Sequence, residues 1–361
     1  MLDFLDKYIS LNDKENKILL HKSFYFSKWT AIFVIRNRLS KITYMAKKLI
    51  LLLTIVCVTG VWQDLHAQDP QFTQFYANPV YLNPAFAGTA RCPRICMNYR
   101  NQWPNLSGTY VTYSASYDQH VDAISGGIGL IVTQDDQARG TLKSTNASLV
   151  YSYLLPVTRE FSIKAGLQAG FFQKSLDRTK LNFGDMIDAR RGFVWNTNEI
   201  IPAQTKTNLD FSAGILGYSK RYFVGFAAHH ITQPDEGLQG PSKLPLKFTG
   251  HAGAIIPLEK GNESFISPNV LFQQQQNFTQ LNLGLYFVKG SFVGGLWYRN
   301  SDAFIVLVGV QTDHLKVGYS YDVTVSKLSS NTAGSHEVSL QIQFECRPKK
   351  KKYRTISCPS F

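Results

Sequence analysis

Apolar and polar positions alternate along much of the chain after residue 95. Residues 161–171, 281–287, 315–322 and 337–345 each carry apolar side chains at every second position, with polar or small residues between them. A period of two is typical of a β-strand with one apolar face, because successive side chains point to opposite sides. Several of these segments approach the roughly ten residues that a tilted strand needs to cross a bilayer. The pattern predicts fourteen strands between residues 95 and 346.

The connectors between these strands predict two unlike ends of the sheet. One set is predicted to be short, at residues 156–160, 219–221, 289–291 and 312–314. The alternate set is predicted to be longer, at residues 133–143, 176–205, 232–247 and 326–335. Short periplasmic turns and long external loops are typical of bacterial outer-membrane barrels. We therefore expect an all-β fold, a 14-stranded antiparallel transmembrane outer-membrane β-barrel, rather than a soluble β-sandwich or propeller, which would not show this asymmetry.

The region before the strands has the pattern of an export signal. Residues 45–48 (MAKK) are basic, residues 49–61 form an apolar run, and Ala67 is a small residue at the expected cleavage site. The run is shorter than the roughly 20 residues of a membrane-spanning helix. We expect a signal peptide over residues 45–67 and a mature chain that starts at Gln68. Residues 1–44 are expected to be a non-native or unstructured extension, with a long cytoplasmic start to the signal peptide as the alternative.

Charge is low and unevenly distributed. Charged residues make up 17% of the chain and aromatic residues 13%, whereas about 25% charged residues are typical of soluble domains. The formal net charge is +13, but much of the excess lies at the two ends; residues 347–354 (RPKKKKYR) hold six basic residues and no acid. No basic face with interleaved aromatic residues and no nucleic-acid-binding motif is present, which excludes a nucleic-acid partner.

Residues 68–94 form a separate segment that is rich in aromatic residues, asparagine and proline. Its repeated Asn–Pro steps are expected to exclude a helix or a central strand. The opening QDPQFTQFYANPVYLNPAFAG, followed by NYRNQWP, resembles the PorP/SprF family of type IX secretion and gliding-motility outer-membrane proteins. Residues 181–195 (LNFGDMIDARRGFVW) and 244–258 (LPLKFTGHAGAIIPL) resemble it too, and so does the tail from 358 to 361 (CPSF), apart from Ser360. The resemblance covers residues 68–361.

The resemblance implies a type IX secretion component that helps to secrete particular large proteins, such as gliding adhesins, or holds them at the surface. Its implied partners are outer-membrane lipid, the periplasmic secretion machinery and the C-terminal domain of a secreted cargo. We expect the protein in the outer membrane of a Gram-negative bacterium, with both ends periplasmic and residues 347–361 forming a basic periplasmic tail. A passive porin for small solutes is the alternative.

Two segments carry the candidate partner-binding residues. Residues 68–94 are expected either to plug the barrel, which we favour, or to contact a periplasmic partner. The connector 176–205 is expected to be a folded external loop, lying over or into the lumen, whose apolar residues can be buried. It serves as a contact for an exported partner, as a structural plug or cap, or as both. The candidates are Tyr76, Tyr81, Asn83, Pro84 and Phe86 in the first segment, and Phe183, Gly184, Asp185, Arg191, Phe193 and Trp195 in the second.

Candidate catalytic residues are few. Asp135-Asp136 and His229-His230 are predicted near the external ends of the third and seventh strands, where an aspartate and a histidine could activate water. Adjacent strand residues face opposite ways, so only one of each pair could take part. No serine-nucleophile motif, CxxC pair or His-rich spacing accompanies them. We expect no enzyme activity, no cofactor and no metal.

The mature chain has four cysteines, Cys92, Cys96, Cys346 and Cys358. A closed barrel makes its first and last strands neighbours, and the periplasm is oxidising. We predict a disulfide from Cys92 to Cys358 or Cys346, with four free thiols as the alternative.

Overall fold

The computed structural model describes residues 68–106, 108–199, 205–238, 240–259, 264–325 and 333–346. The predicted signal peptide, residues 1–44, the basic tail and Cys358 lie outside these ranges. Within them, no helix is long and apolar enough to cross a membrane.

Fourteen long antiparallel strands form a closed barrel, as the alternation predicted. In chain order they are β1 (Arg94–Gln102), β2 (Tyr110–Val121), β3 (Gly126–Gln137), β4 (Leu142–Pro156), β5 (Phe161–Leu176), β6 (Thr205–Ser219), β7 (Tyr222–His229), β8 (Lys247–Ala254), β9 (Ser264–Gln275), β10 (Phe278–Lys289), β11 (Phe292–Arg299), β12 (Ala303–Gln311), β13 (Leu315–Thr324) and β14 (Ser335–Gln343). Ile256–Pro257 adds a two-residue strand beside β9, and Ile187–Asp188 pairs with Gly192–Phe193 in a separate hairpin.

The barrel closes where β1 meets β14. Arg94 lies opposite Gln343 and Gln102 opposite Ser335, so all nine residues of β1 are paired along this seam. The opposite side is continuous through the pairing of β8 with β9. A closed sheet pairs backbone groups that an open edge would leave without partners in lipid.

The two faces of the barrel wall differ in polarity, and β5 shows this most simply. Its outward side chains Leu167 and Phe171 are 64% and 59% exposed, whereas the inward Lys164 is 1% exposed. A band of exposed apolar side chains on the outer face of a closed barrel is suited to lipid contact. Polar and charged side chains face inward, where they are covered by the rest of the protein.

The two ends of the barrel carry different connectors. We call the end with residues 157–160, 220–221, 290–291 and 312–314 the turn mouth, and the end with connectors 177–204, 230–246 and 325–334 the loop mouth. The difference is weaker than predicted. The long connector predicted at residues 133–143 is a short turn at residues 138–141. Asp135 and Asp136 belong to β3 and pair with residues of β4. Residues 276–277 and 300–302 at the loop mouth are also tight, while residues 255–263 make a longer connector at the turn mouth.

The aromatic segment before β1 folds into three short helical turns, Phe75–Ala77, Pro79–Leu82 and Pro84–Phe86. The expectation that proline excludes helix here was wrong. Pro79 and Pro84 occupy the first position of their turns, where a missing N–H removes no helical hydrogen bond. Asn83 caps the third turn by accepting a hydrogen bond from the N–H of Ala85 at 2.9 Å.

The main apolar core lies inside the barrel. Buried side chains of the helical turns pack against inward side chains of β6, β7 and β9 to β12. Phe75 meets Trp297 edge-on with ring centroids 5.2 Å apart, and Tyr76 meets Phe223 at 5.5 Å. Burying each large side chain contributes about 1.5–3 kcal/mol, so this packing holds the segment against the wall.

Candidate functional site

The candidate site consists of residues 69–92, which we call the lumen segment, and the connector 177–204, which we call the long loop. The lumen segment contacts the inner wall from one mouth of the barrel to the other. The long loop lies at the loop mouth.

Asp69 begins the lumen segment at the loop mouth. Its Oδ2 atom lies 2.8 Å from Nε2 of His230 and 3.5 Å from Nζ of Lys247. Its N–H donates to Oε1 of Gln275 at 3.0 Å, and Nε2 of Gln275 donates to Oδ1 of Asp69 at 3.1 Å. The other ring nitrogen of His230, Nδ1, lies 2.7 Å from Oδ2 of Asp210. We call these five residues the Asp69 clamp.

The charges of the clamp stabilise one another. Burial favours the neutral form of Asp69, but His230 and Lys247 outweigh it and lower the pKa of this carboxyl below its usual value. Burial also favours a neutral His230, yet the carboxylates of Asp69 and Asp210 raise its pKa to about 10. His230 is therefore a cation at neutral pH, with one carboxylate on each ring nitrogen. It has no free lone pair with which to act as a base.

The two residue pairs that could have formed an aspartate–histidine water site lie near each other at the loop mouth. Asp135, His229 and His230 line one small cavity of about 70 Å³ at the loop mouth. The carboxylate of Asp135 accepts from Oγ1 of Thr112 at 2.6 Å and from Nε2 of Gln137 at 2.9 Å. These contacts hold Asp135 within the wall, and the clamp occupies His230. Among the described residues, no group of three or more His, Cys, Asp or Glu side chains is arranged to hold a metal ion.

A second group of charges holds Thr73, four residues further on. Oδ2 of Asp322 lies 2.8 Å from Nη2 of Arg100 and 3.1 Å from Nη1 of Arg299, and Arg100 also reaches Oε2 of Glu337 at 3.4 Å. Oγ1 of Thr73 donates to Asp322 at 2.9 Å, and the Thr73 N–H donates to Oε2 of Glu337 at 2.5 Å. All five side chains are buried inside the barrel. The segment is thus bound to ion pairs of the wall.

Asn83 and Phe86 anchor the middle of the segment. Nδ2 of Asn83 donates to the carbonyl of Ile215 at 3.1 Å and lies 3.2 Å from Nε2 of His251. The ring of Phe86 stacks on His251 with centroids 5.1 Å apart. The added Cβ of an alanine at Gly214 would lie 2.0 Å from Oδ1 of Asn83, so the small residue permits this close approach.

The last part of the segment meets the wall near the turn mouth. The carbonyl of Ala87 accepts from Nζ of Lys164 and from Oγ of Ser152, the latter at 2.7 Å. The N–H of Gly88 donates to Oδ2 of Asp118 at 2.7 Å, and Oδ1 of Asp118 accepts from Nε of Arg94 at 2.9 Å.

A disulfide joins Cys92 to Cys346, just outside the two strands of the seam, with 4.9 Å between their Cα atoms. This is one of the two pairings expected for Cys92. Cys96 is a buried free thiol on β1. The disulfide ties the end of the lumen segment to the chain that follows β14.

The structure buries most of the candidate residues of the first segment. Tyr76, Asn83, Pro84 and Phe86 are buried against the wall, and Tyr81 is half-buried, with its hydroxyl donating to the carbonyl of Pro70 at 2.5 Å. They contact the barrel itself, so a partner could reach them only after the segment had left the lumen.

The long loop is folded by its own polar contacts. Oδ2 of Asp185 accepts from the N–H of Asn198 at 2.7 Å and from Oγ1 of Thr197 at 3.0 Å. Oδ1 of Asp188 accepts from the N–H groups of Arg190 and Arg191, each at 2.9 Å. These bonds close a small hairpin between Ile187–Asp188 and Gly192–Phe193.

The apolar side chains of the long loop differ in how far the rest of the chain covers them. Phe183 and Met186 are half-buried. Ile187, Phe193, Val194 and Trp195 are 50%, 57%, 49% and 56% exposed. Gly184, Asp185 and Arg191 are exposed as well. We call Ile187, Phe193, Val194 and Trp195 the loop patch.

Several residues of the lumen site were not singled out from the sequence. They are Asp69, Thr73, Arg100, Lys164, His251, Arg299, Asp322 and Glu337. The sequence does indicate that most of them face the interior. In a strand whose side chains alternate between apolar and polar, a charged residue at one of the polar positions lies on the inward face.

The family model described as "Type IX secretion system membrane protein PorP/SprF" matches residues 65–342. No curated protein matches the sequence.

Several solved structures resemble this chain at low sequence identity. The toluene transporter TbuX of Ralstonia pickettii has a TM-score of 0.43 at 11% identity, over 74% of this chain and 93% of that one. The toluene transporter TodX of P. putida has a TM-score of 0.45 at 10% identity, over 75% and 95%. The outer membrane protein Omp33 of Acinetobacter baumannii has a TM-score of 0.40 at 8% identity, over 71% and 100%.

An apolar outer band, a closed fourteen-stranded sheet and a family match over most of the chain agree with one another. The protein is therefore an outer-membrane β-barrel that belongs to the PorP/SprF family of type IX secretion system membrane proteins.

Proposed function

We propose that this barrel is a non-enzymatic docking platform of the type IX secretion system, which receives a C-terminal domain of secreted cargo at the loop mouth. The observation that carries the proposal is the combination of a filled lumen with an exposed loop patch. The finer role follows the family: secretion or surface attachment of large proteins, such as adhesins used in gliding. The turn mouth and the tail 347–361 would meet the periplasmic machinery.

The filled lumen argues against conduction as the main role. A fourteen-stranded barrel without a plug leaves room for water and solutes. Here buried side chains from Phe72 to Ala87 occupy the interior, and Thr73 is bound to the ion pairs of the wall. A passive porin, the alternative function, requires this segment to be displaced.

The loop patch has the composition of a docking surface. Phe193 and Trp195 are large aromatic side chains, which dominate the binding energy of many interfaces when a partner covers them. Arg190 and Arg191 are exposed beside them at the tip of the hairpin. A cargo domain with an apolar patch and an acidic rim would complement this surface. Because the loop is held by its own hydrogen bonds, little conformational entropy would be lost on binding.

The test is retention of the purified cargo C-terminal domain by the purified barrel in detergent. Changing Phe193 and Trp195 together to serine should reduce the affinity by at least about tenfold, since losing one interface aromatic commonly costs about 2 kcal/mol. Glu199→Ser is the matched control, because Glu199 is exposed on the same loop outside the loop patch. Equal retention by the double variant and the original protein would refute the docking site. Both variants should still show the mobility shift of a folded barrel on heating in gels.

A further inference from the structure

The lumen segment has a direction. At its start, Asp69 is bound by Gln275, the last residue of β9, by Lys247, the first residue of β8, and by His230, which follows β7. All three lie at the loop mouth. The contacts of Asp69 therefore fix the start of the segment at that end of the barrel.

The later contacts descend through the barrel in chain order. Thr73 is bound by Asp322, two residues from the loop-mouth end of β13. Asn83 contacts His251 near the middle of β8 and Ile215 four residues from the turn-mouth end of β6. Gly88 is bound by Asp118, three residues from the turn-mouth end of β2. The segment thus crosses the lumen once, from the loop mouth to the turn mouth.

The far end is fixed covalently. Cys92 is joined to Cys346 beyond the end of β14, and β1 starts two residues later at the turn mouth. Gln68, the predicted first residue of the mature chain, is exposed at the opposite mouth. Gln68 and Cys346, the described residues nearest to the two ends of the mature chain, therefore lie at opposite mouths of the barrel. Both ends were expected in the periplasm, and this path favours a different place for the N-terminus.

We propose that the mature N-terminus is presented on the outside of the cell, at the loop mouth, beside the loop patch. That the loop mouth faces the cell exterior rests on the proposed function, in which the short turns of the barrel face the periplasm. A cargo domain that approaches the loop mouth would then meet the start of the mature chain as well as the long loop. The Asp69 clamp holds that start in place.

Cysteine labelling on whole cells tests this topology. The probe is Gln68→Cys in a Cys358→Ser background, labelled with a membrane-impermeant maleimide before and after the outer membrane is permeabilised. Arg190→Cys, on the long loop, is the external control, and Glu160→Cys, in the connector 157–160, is the periplasmic control; both residues are exposed. Labelling of the denatured protein establishes that each thiol is present.

We expect Gln68→Cys to react on intact cells as Arg190→Cys does, and Glu160→Cys to react only after permeabilisation. If Gln68→Cys reacts only after permeabilisation while Arg190→Cys reacts on intact cells, the inference is wrong and the orientation stands. If Gln68→Cys reacts in neither condition, the N-terminus is covered and its presentation is refuted. If Arg190→Cys reacts only after permeabilisation, the orientation is reversed. The loop mouth is then periplasmic, and both the inference and the proposed docking face are refuted.

Discussion

Asp69 and His230 form an ion pair, with Oδ2 and Nε2 2.8 Å apart, that ties the start of the lumen segment to the connector after β7. The two residues are 161 positions apart in the sequence. This contact places the beginning of the mature chain at the mouth opposite to the Cys92–Cys346 disulfide.

Asp69→Asn should loosen the loop-mouth end of the lumen segment. The change removes the anion that faces His230 and Lys247, and a charged hydrogen bond of this kind contributes about 1.5–3 kcal/mol. We expect faster proteolysis of the purified variant within residues 68–72 and an intact barrel on heat-shift gels. Asp313→Asn, at an exposed position in the connector 312–314, is the control and should leave proteolysis unchanged.

The stabilisation from the clamp should depend on pH in two steps. The pKa of Asp69 is lowered in the folded protein, so its contribution is present above the unfolded value near 3.8 and is lost as the pH falls below it. The pKa of His230 is raised from 6.5 to about 10, so its contribution is complete below pH 6.5 and is lost as the pH rises towards 10.

Proteolysis of the segment should therefore be slowest between about pH 4 and 6.5 and should accelerate towards pH 10. The measurement compares the original protein with His230→Gln, after correction for the protease's own pH profile. The His230→Gln profile should lack the alkaline acceleration. An identical rise in both proteins would show that His230 does not hold the segment.

Arg100→Met should destabilise the barrel more than loss of an exposed charge. It leaves Asp322 with Arg299 alone and removes the cation beside Glu337, both of which are buried. Removing one partner of a buried ion pair costs about 3–5 kcal/mol. Unfolding in urea measures the loss. Lys289→Met, at an exposed end of β10, is the control and should change the free energy of unfolding by less than about 0.5 kcal/mol.

Gly88→Ala should displace the lumen segment from the wall. An added Cβ would lie 2.7 Å from Cα of Gly127 and 2.8 Å from the carbonyl oxygen of Gln119, and φ is +68°. Gly290→Ala is a close control, because φ is +57° there but nothing lies within 4 Å of the new atom. The strained backbone costs both variants about 1 kcal/mol. Only Gly88→Ala should add about 1–3 kcal/mol for overpacking, and equal unfolding midpoints would contradict the close contact.

The strand content was predictable because a wall with lipid on one side and a polar interior imposes a period of two on the sequence. The same reasoning failed at Asp135 and Asp136, since neighbouring polar residues look like a connector. In the structure they belong to β3 and pair with β4. The alternation along β1 and β14 could have predicted that Arg100 and Glu337 face inward. It could not have predicted that they contact Thr73.

The path of the lumen segment could not be predicted from its sequence. Its three helical turns have no repeating pattern, so no periodicity assigns depth or direction to Tyr76 or Phe86. Direction depends on long-range contacts such as Asp69 with His230. The exposure of the loop patch could not be predicted for another reason. Hydrophobicity identified Phe193 and Trp195 as residues that need to be covered, but it does not say whether the chain or a partner covers them.

Conductance in planar bilayers tests most directly whether the lumen is closed. The purified protein is added to a bilayer at neutral pH, and Tyr76→Ala with Phe86→Ala serves as the variant with two smaller side chains inside the barrel. We predict no stable conductance steps for the original protein and frequent steps for the variant. Stable steps from the original protein, with the size and persistence of an open fourteen-stranded pore, would contradict a closed docking platform.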